Sequence, residues 1–263
     1  MKKYLYIFKS EFMTNLQYTF DILVGSINYV IHIFIFLNLW KYMYSDPSSL
    51  INGYNMNQMI WYVIITEILW ESTSARKLCK KICNDVKTGN ITYNINKPYN
   101  YVEYALFNHL GLVILRFIII GIIGMILGLI FLKSFPVLNI LQILVVILSC
   151  ILAITINTLL VISIGLISFY IEDANPFFWL YSKFLLVIGT IFPIEFFPKS
   201  IQPFIKYSPI YVISYGPAKL FVDFENSNYI EIILFQILYL IISLIICHLI
   251  YKKGVRKLNV NGG

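Results

Sequence analysis

Six apolar stretches of 16 to 33 residues, separated by short polar segments, dominate this 263-residue chain. A bilayer core about 30 Å thick is crossed by about 20 helical residues, so each stretch is a candidate membrane helix. Only 13% of the residues are charged and 59% are hydrophobic, whereas soluble domains have about 25% charged residues. The pattern predicts an all-α polytopic membrane protein, and it excludes a soluble enzyme, a secreted disulfide scaffold and a disordered chain.

The six predicted spans form a single transmembrane domain over residues 1–263. Two of the spans have unusual lengths. The fourth would measure about 50 Å as a helix, so it must tilt or project beyond the membrane near Asn139 and Gln142. The fifth reaches only about 24 Å before Pro193, which is shorter than the bilayer core. The predicted spans are residues 22–42, 56–74, 105–132, 137–169, 177–192 and 229–251.

The basic residues predict the orientation of these spans. If the N-terminus is cytoplasmic, thirteen of the 20 Lys and Arg residues lie in cytoplasmic segments and five on the opposite side. Lys and Arg accumulate in cytoplasmic loops, so both termini are expected inside the cell membrane. The net charge of +7 is therefore explained by topology, and no nucleic-acid partner is predicted.

Residues 1–18 are expected to form an interfacial helix and not a cleavable signal. Charged residues interrupt the segment, and no small-residue cleavage site follows the first span. Leu5, Phe8 and Phe12 recur at helical spacing, which is typical of an amphipathic helix lying on the inner leaflet. A frayed basic tail is the alternative.

The loop of residues 76–104 is the one substantial cytoplasmic loop. It is expected to begin with an amphipathic helix that stops at Gly89, followed by an extended segment, NITYNINKPYNY, closed by Pro98. The helix offers an apolar ridge to a partner, although its lysines would also suit a helix lying on anionic lipid. The ridge consists of Leu78, Ile82 and Val86.

The four cysteines predict no metal site. Cys79 and Cys83 are one helical turn apart in the cytoplasmic loop, without a neighbouring His or second cysteine pair. Since the cytoplasm is reducing, two free thiols are expected there. Cys150 and Cys247 fall inside predicted spans.

Residues 193–228 are apolar but cannot form one continuous helix. Four prolines interrupt the first 17 residues of this region, and each removes a backbone hydrogen bond from a helix. Short helices that re-enter the outer leaflet are expected, because broken backbone at membrane depth must be covered by protein or face a water-filled cavity. Glu195 is either functional there or at headgroup level in contact with water.

Polar residues near the inner ends of the second and third spans predict helix-to-helix contacts. Matching their depths predicts that Glu67 contacts Arg116 and that Glu71 lies near His109, because an unpaired charge at such depth is costly. We expect these four residues to act as structural contacts.

Other polar or small residues in the spans suggest helix packing. The isolated polar residues are explained by helix-to-helix hydrogen bonds, and the glycines of the third span permit close packing. The residues concerned are Asn28, His32, Asn157 and His248, and Gly121, Gly124 and Gly128.

The sequence contains no catalytic or nucleotide-binding motif that we recognise. It has no HExxH, no Gly-x-Ser-x-Gly and no P-loop, so no cofactor is predicted. Four classes of membrane protein remain open: a pore, a secondary transporter, an unfamiliar membrane enzyme, and the membrane part of a pump whose motor is a separate chain.

Two motifs in these loops resemble those of permease subunits of type-2 ABC transporters, a class consisting mostly of bacterial exporters. The first motif is DVKTGNI at residues 85–91 with Lys97-Pro98, and the second is FPIEFFP at residues 192–198 with Ile201-Gln202 and Tyr207-Ser208-Pro209. Pro217-Ala218 also fits, whereas Asn90 departs from the small residue that is usual after the glycine. The likeness extends over nearly the whole chain in span count and loop order.

The resemblance implies an export permease that is not itself an enzyme. It implies two ATP-binding subunits beneath a dimer of permeases, of the same or related chains, with a substrate path lined by the first, second and fifth spans. Coupling to the ATPase would use the cytoplasmic loop, and an extracellular re-entrant gate would use the proline-rich segment. The implied residues are Leu78, Ile82, Val86, Lys87, Gly89, Lys97 and Pro98 for coupling, and Pro193, Glu195 and Pro198 for the gate.

Two other functions remain open from the sequence. An ion-coupled secondary transporter would use Glu67, Arg116 and Glu195 as coupling residues, but the two halves of the chain show no internal repeat. A membrane enzyme lacks a catalytic constellation. The apolar spans do not discriminate between drugs, lipids, peptides and glycan carriers as substrate.

Overall fold

The computed structural model describes residues 2–44, 46 and 49–261. This part of the chain is helical and contains no β-strand. The α-helices are α1 (Lys2–Leu16), α2 (Thr19–Gly25), α3 (Ile27–Met43), α4 (Met56–Thr73), α5 (Ala75–Lys87), α6 (Asn90–Ile95), α7 (Tyr101–Leu132), α8 (Ile140–Leu166), α9 (Asn175–Phe184), α10 (Gln202–Lys206), α11 (Gly216–Val222) and α12 (Asn226–Asn261).

Four short segments wind more tightly or more loosely than an α-helix. Turns of 3₁₀ helix occupy Ile167–Phe169 and Ile194–Phe196. Two π-helical segments occupy Leu185–Ile191, which continues α9, and Tyr211–Tyr215, which leads into α11. The proline-rich region therefore consists of short helices, as expected from its sequence.

Four helical stretches among the described residues are long and apolar enough to cross a membrane, so the chain is a polytopic membrane protein. The other two predicted spans coincide with α4 and with α9 plus its π-helical extension. The four long stretches are Thr19–Met43, Tyr101–Leu132, Ile140–Phe169 and Tyr229–Lys257.

Helix α4 lies in the centre of the molecule. Every residue from Met59 to Leu69 is buried, and α4 contacts α3, α7, α11 and the π-helical segment Leu185–Ile191. By contrast, many apolar side chains of α7 and α12 are exposed. Since protein surrounds α4, its polar side chains can hydrogen-bond within the molecule, which explains how a less apolar helix occupies the core.

Side-chain caps fix where the long helices begin. Asn55 and Gln58 form a reciprocal capping box at the start of α4, and Asn139 and Gln142 form one at the start of α8. The side chain of Asn100 accepts hydrogen bonds from the first turn of α7. The fourth predicted span therefore starts as a helix after Asn139 and does not extend back to residue 137.

The N-terminal helix α1 packs on α7. Tyr4 is buried and its ring stacks on Phe107 at 5.7 Å, and the backbone of α1 approaches α7 at Gly111 so closely that no Cβ would fit. Leu5, expected on the apolar face, is 56% exposed. The following helix is interrupted at Ser26, so the first span consists of α2 and α3.

The glycines of α7 have different surroundings. At Gly124 a Cβ would collide with Tyr29 and Ile68, and at Gly128 with Trp61. Gly121 has nothing within 4 Å of that position. Close packing of α3 and α4 therefore explains Gly124 and Gly128 but not Gly121.

The segment after Gly89 is helical where the sequence predicted an extended chain. Gly89 has a φ of 75° and directly precedes α6. In this left-handed conformation, which glycine adopts without penalty, the chain leaves α5 and starts a new helix at once. The predicted stop of α5 at Gly89 is confirmed, and the extended reading of residues 90–95 is wrong.

Candidate functional site

Helix α5, at the end of the molecule where α4 terminates, packs against α8. A Cβ on Gly165 would lie 2.9 Å from Cβ of Ile82, so the absence of a side chain lets the two helices meet. Leu78, Ile82 and Val86 are all buried. The expectation that this ridge is open to a partner is wrong, because the ridge attaches α5 to its own chain.

The opposite face of α5 is open and basic. The exposed residues recur with the spacing of one helical face, and the acidic residue of α5, Asp85, is half-buried and accepts a hydrogen bond from the Tyr101 hydroxyl. A partner that docks here would meet positive charge and not an apolar surface. The exposed residues are Arg76, Lys77, Lys80, Lys81, Asn84 and Lys87.

The end of the cytoplasmic loop is hydrogen-bonded to the N-terminal helix α1. Lys3 Nζ donates to the Pro98 carbonyl at 2.6 Å, and the Asn100 amide donates to the Tyr4 hydroxyl at 3.0 Å. The ammonium of Lys97 lies over the Tyr93 ring at 4.4 Å. Lys97 and Pro98 therefore belong to the same surface as α1.

A charged contact connects α5 to the loop before α9. Lys87 Nζ lies 3.7 Å from Asp173 Oδ1. The backbone and side-chain amides of Asn175 both donate to Asp173, and together with Lys87 they hold the pKa of that carboxyl below its usual value. The α5 helix therefore contacts the start of the fifth predicted span.

The two cysteines of α5, Cys79 and Cys83, are free and buried on the side of the helix opposite its open face. Their sulfurs lie 3.9 Å apart. The hydrogen bond between the sulfurs and burial of the thiol raise the pKa of Cys79. Neither sulfur is at the open face.

Within the helices, His32, Glu67 and Glu71 form a cluster. His32 Nδ1 lies 3.4 Å from Glu67 Oε2 and 3.7 Å from Glu71 Oε1. The Glu67 side chain is 1% exposed and that of His32 is 44% exposed. His32, which the sequence left isolated, is thus the neighbour of both carboxylates.

The predicted pairing of Glu67 with Arg116 and of Glu71 with His109 is wrong. Arg116 donates to the main-chain carbonyl of Glu71 at 2.9 Å, and His109 Nε2 lies 2.7 Å from the Thr73 carbonyl. Both basic side chains thus meet the C-terminal carbonyls of α4, where the helix dipole is negative. Arg116 and His109 meet α4 four and two residues beyond their predicted partners, because the free carbonyls at the end of α4 act as the acceptors.

At the other end of the molecule, Glu195 is part of a polar network. The hydroxyl of Tyr215 donates to Glu195 Oε1 at 2.6 Å, and Lys219 Nζ lies 3.9 Å from the same oxygen. Lys219 also pairs with Asp223 at 2.6 Å. Burial and the neighbouring Glu195 carboxylate raise the pKa of Tyr54. Glu195 therefore contacts protein groups beyond its own segment.

The two π-helical segments leave backbone carbonyls that side chains satisfy. Tyr62 and Thr66, both on α4, donate to the carbonyls of Gly189 and Thr190 at 2.7 and 2.9 Å. On α12, Gln236 Nε2 lies 3.0 Å from the Val212 carbonyl. The second contact of Gln236, also at 3.0 Å, is the Ser149 carbonyl of α8. These donors hold the irregular backbone against regular helices.

A cavity of about 440 Å³ lies beside this network. Its lining combines lysines with tyrosines, and one of the lysines, Lys206, forms an ion pair with Glu231 at 2.6 Å. The basic and aromatic lining residues are Lys199, Lys206, Tyr207, Tyr211, Tyr215 and Lys219. The short helices of the proline-rich region therefore surround a polar space.

Comparison with known families yields one finding that covers most of the chain. The family described as ABC-2 family transporter protein matches residues 27–262. No curated protein matches the sequence. The matched range begins at α3 and includes the α5 helix, the cluster of His32, Glu67 and Glu71, and the proline-rich region.

Proposed function

Because the chain belongs to the ABC-2 family of transporter proteins and is a permease subunit, we propose that it forms the substrate path of an ATP-driven export system. The family match over residues 27–262 carries this proposal. A separate subunit would bind and hydrolyse ATP, since the chain has no P-loop.

The proposed topology has six spans in the cell membrane, with both termini in the cytoplasm. The spans are α2 with α3, α4, α7, α8, α9 with its π-helical extension, and α12. The buried position of α4 supports its inclusion, because a helix surrounded by other membrane helices tolerates polar residues. The excess of basic residues in the segments assigned to the cytoplasm supports the orientation.

In the proposed assembly, two permease protomers associate with two ATP-binding subunits. The open basic face of α5, together with Lys87, Gly89, Lys97 and Pro98, would contact the ATPase. Closure of the ATPase on ATP would push on α5. Since α5 rests on α8 at Gly165 and meets Asp173 before α9, the push would reach the fourth and fifth spans.

The proline-rich region would serve as an extracellular gate. Pro193 and Pro198 bound the turn that carries Glu195, and the Tyr215–Glu195 hydrogen bond attaches this turn to the π-helical segment before α11. A change in the tilt of the fifth span would move this turn directly, because Pro193 follows the span after one residue.

Co-purification and charge reversal test the proposal. The full chain should co-purify with a separate ATPase. The double variant Arg76→Glu with Lys80→Glu should lower permease-stimulated ATP hydrolysis at least about tenfold, because it replaces attraction at the docking face by repulsion between like charges. The matched control is Lys252→Glu with Lys253→Glu, an equal charge change on α12, which should retain stimulation.

Either of two results would contradict the proposal. Transport driven by an ion gradient, without ATP and without an associated ATPase, would indicate the secondary transporter instead. Equal stimulation by the α5 variant and its control would exclude the open face of α5 as the coupling surface while leaving the permease assignment intact.

A further inference from the structure

The cluster of His32, Glu67 and Glu71 joins α3 to α4 in a way that hydrogen bonding does not explain. Oε2 of Glu67 makes no hydrogen bond although it is buried. Its 3.4 Å separation from His32 Nδ1 is an ion-pair distance that lacks hydrogen-bond geometry. A buried carboxylate oxygen without a hydrogen bond is costly, so it points to a further, missing partner.

The three ligand atoms are already gathered. His32 Nδ1 and one oxygen of each carboxylate lie within 4.8 Å of one another. For a tetrahedral Zn²⁺ with bonds of 2.0 to 2.1 Å, neighbouring ligand atoms are about 3.3 Å apart. The separations from Nδ1, 3.4 and 3.7 Å, are close to this value and exceed the roughly 3.0 Å of an octahedral ion with bonds of that length.

The charges around the cluster also favour a divalent cation. In the described part of the chain, Arg116 forms no ion pair with either carboxylate and instead donates to the Glu71 carbonyl. Its charge is therefore directed at the negative end of α4. Two carboxylates then face one imidazole in a low-dielectric region, and Arg116 offsets their charge only from a distance, so negative charge is left to be balanced.

We propose that His32, Glu67 and Glu71 bind one divalent transition-metal ion, with Zn²⁺ as the best fit, and that this ion clamps α3 to α4. One imidazole nitrogen and two carboxylate oxygens are ligands that Zn²⁺ accepts, and a water molecule would complete the tetrahedron. The ion would enter from the exposed side of His32, whose side chain is 44% exposed. The evidence for this site does not rest on the transport proposal, although α3 and α4 belong to the first and second spans.

Cobalt is the probe for this site, because tetrahedral Co²⁺ absorbs visible light far more strongly than octahedral Co²⁺. The purified full chain in nanodiscs is titrated with Co²⁺ and then with Zn²⁺. We expect one Co²⁺ per chain with a tetrahedral spectrum, its displacement by Zn²⁺, and a higher melting temperature with Zn²⁺ because only the folded state holds the ligands together.

Removal of a ligand should abolish this signature. Glu67→Gln and His32→Asn should each weaken Co²⁺ binding more than about 100-fold, since loss of even an outer partner costs 10- to 100-fold. The matched controls are His248→Asn and Glu231→Gln. The His248 ring lies 2.9 Å from a carbonyl of its own helix, and Glu231 pairs with Lys206, away from the cluster. Both should bind as the unaltered chain does.

Three outcomes would overturn the proposal: no binding by the unaltered chain, an octahedral spectrum, or equal binding by variants and controls. Size-exclusion chromatography and circular dichroism establish that each variant is folded. If Glu67→Gln fails to fold, Glu71→Gln replaces it, because that side chain is 20% exposed and tolerates the change better.

Discussion

The two ends of this permease attach short helices to the long membrane helices by different means. At the α5 end, a regular amphipathic helix lies on α8, and contact is made possible by the missing side chain of Gly165. At the proline-rich end, taken here as residues 185–222 with both π-helical segments, the backbone is irregular, and side chains from regular helices donate hydrogen bonds to its free carbonyls. One end depends on close apolar packing and the other on polar donors.

The two kinds of attachment should respond differently to force. An amphipathic helix packed on a glycine has a single stable position, because protein interiors are close-packed and do not deform continuously. A π-helical segment held by individual hydrogen bonds can exchange donors with little change in packing. We therefore expect the α5 end to transmit motion as a rigid contact and the proline-rich end to respond to it by rearranging its hydrogen bonds.

The largest effect is expected where α5 meets α8. Gly165→Val should lower the free energy of unfolding by about 3 kcal/mol and remove stimulation of ATP hydrolysis, because the new side chain collides with Ile82. Gly121→Val, a glycine with free space around it, is the control and should change little. Denaturant titration in detergent and ATPase assays measure both, and equal behaviour of the two variants would refute the packing argument.

Loss of a donor at the proline-rich end should have the next largest effect. Gln236→Leu should cost about 2 kcal/mol, because it removes the hydrogen bonds to the Val212 and Ser149 carbonyls. Asn38→Leu is the control, because the Asn38 side chain donates to a carbonyl of its own helix and to no other described residue. Thermal melting in the same detergent compares them, and a smaller loss for Gln236→Leu than for Asn38→Leu would contradict the role of the donor.

A smaller effect is expected at Glu195. Tyr215→Phe should cost about 1.5 kcal/mol, since it takes away the hydroxyl that donates to Glu195 Oε1. Glu195→Gln should cost less, because the amide oxygen still accepts that hydrogen bond. Denaturant titration of both variants measures the two losses of stability. A larger loss for Glu195→Gln than for Tyr215→Phe would show that the charge of Glu195 matters more than its hydrogen bond.

The smallest effect is expected at Asp173 and depends on pH. Hydrogen bonds from Asn175 hold the pKa of Asp173 below its usual value, so its stabilising contribution is present above about pH 4 and disappears as the pH falls through the lowered pKa. The difference in melting temperature between the unaltered chain and Asp173→Asn should therefore be small at pH 7 and vanish below that pKa. A difference that grows with acidity would have the wrong sign.

Much of the fold could be predicted, because apolar length and capping chemistry are local properties. The all-helical membrane class and the stop of α5 at Gly89 follow from such signals. The buried face of α5 could not be assigned, because an apolar ridge is equally suited to a partner and to α8. Gly165 and Gln236 were also missed, since one glycine or glutamine in an apolar helix gives no local indication of what it contacts.

Local sequence signals are enough to predict a polytopic membrane protein whose regular helical backbone breaks after residue 192, because apolar runs and prolines act through local physical chemistry. Which polar groups meet, by contrast, depends on how the helices pack. Arg116 and His109 contact the carbonyls that end α4, and His32 contacts Glu67 and Glu71. Such pairings depend on helix rotation and crossing, which residues on separate helices specify only together.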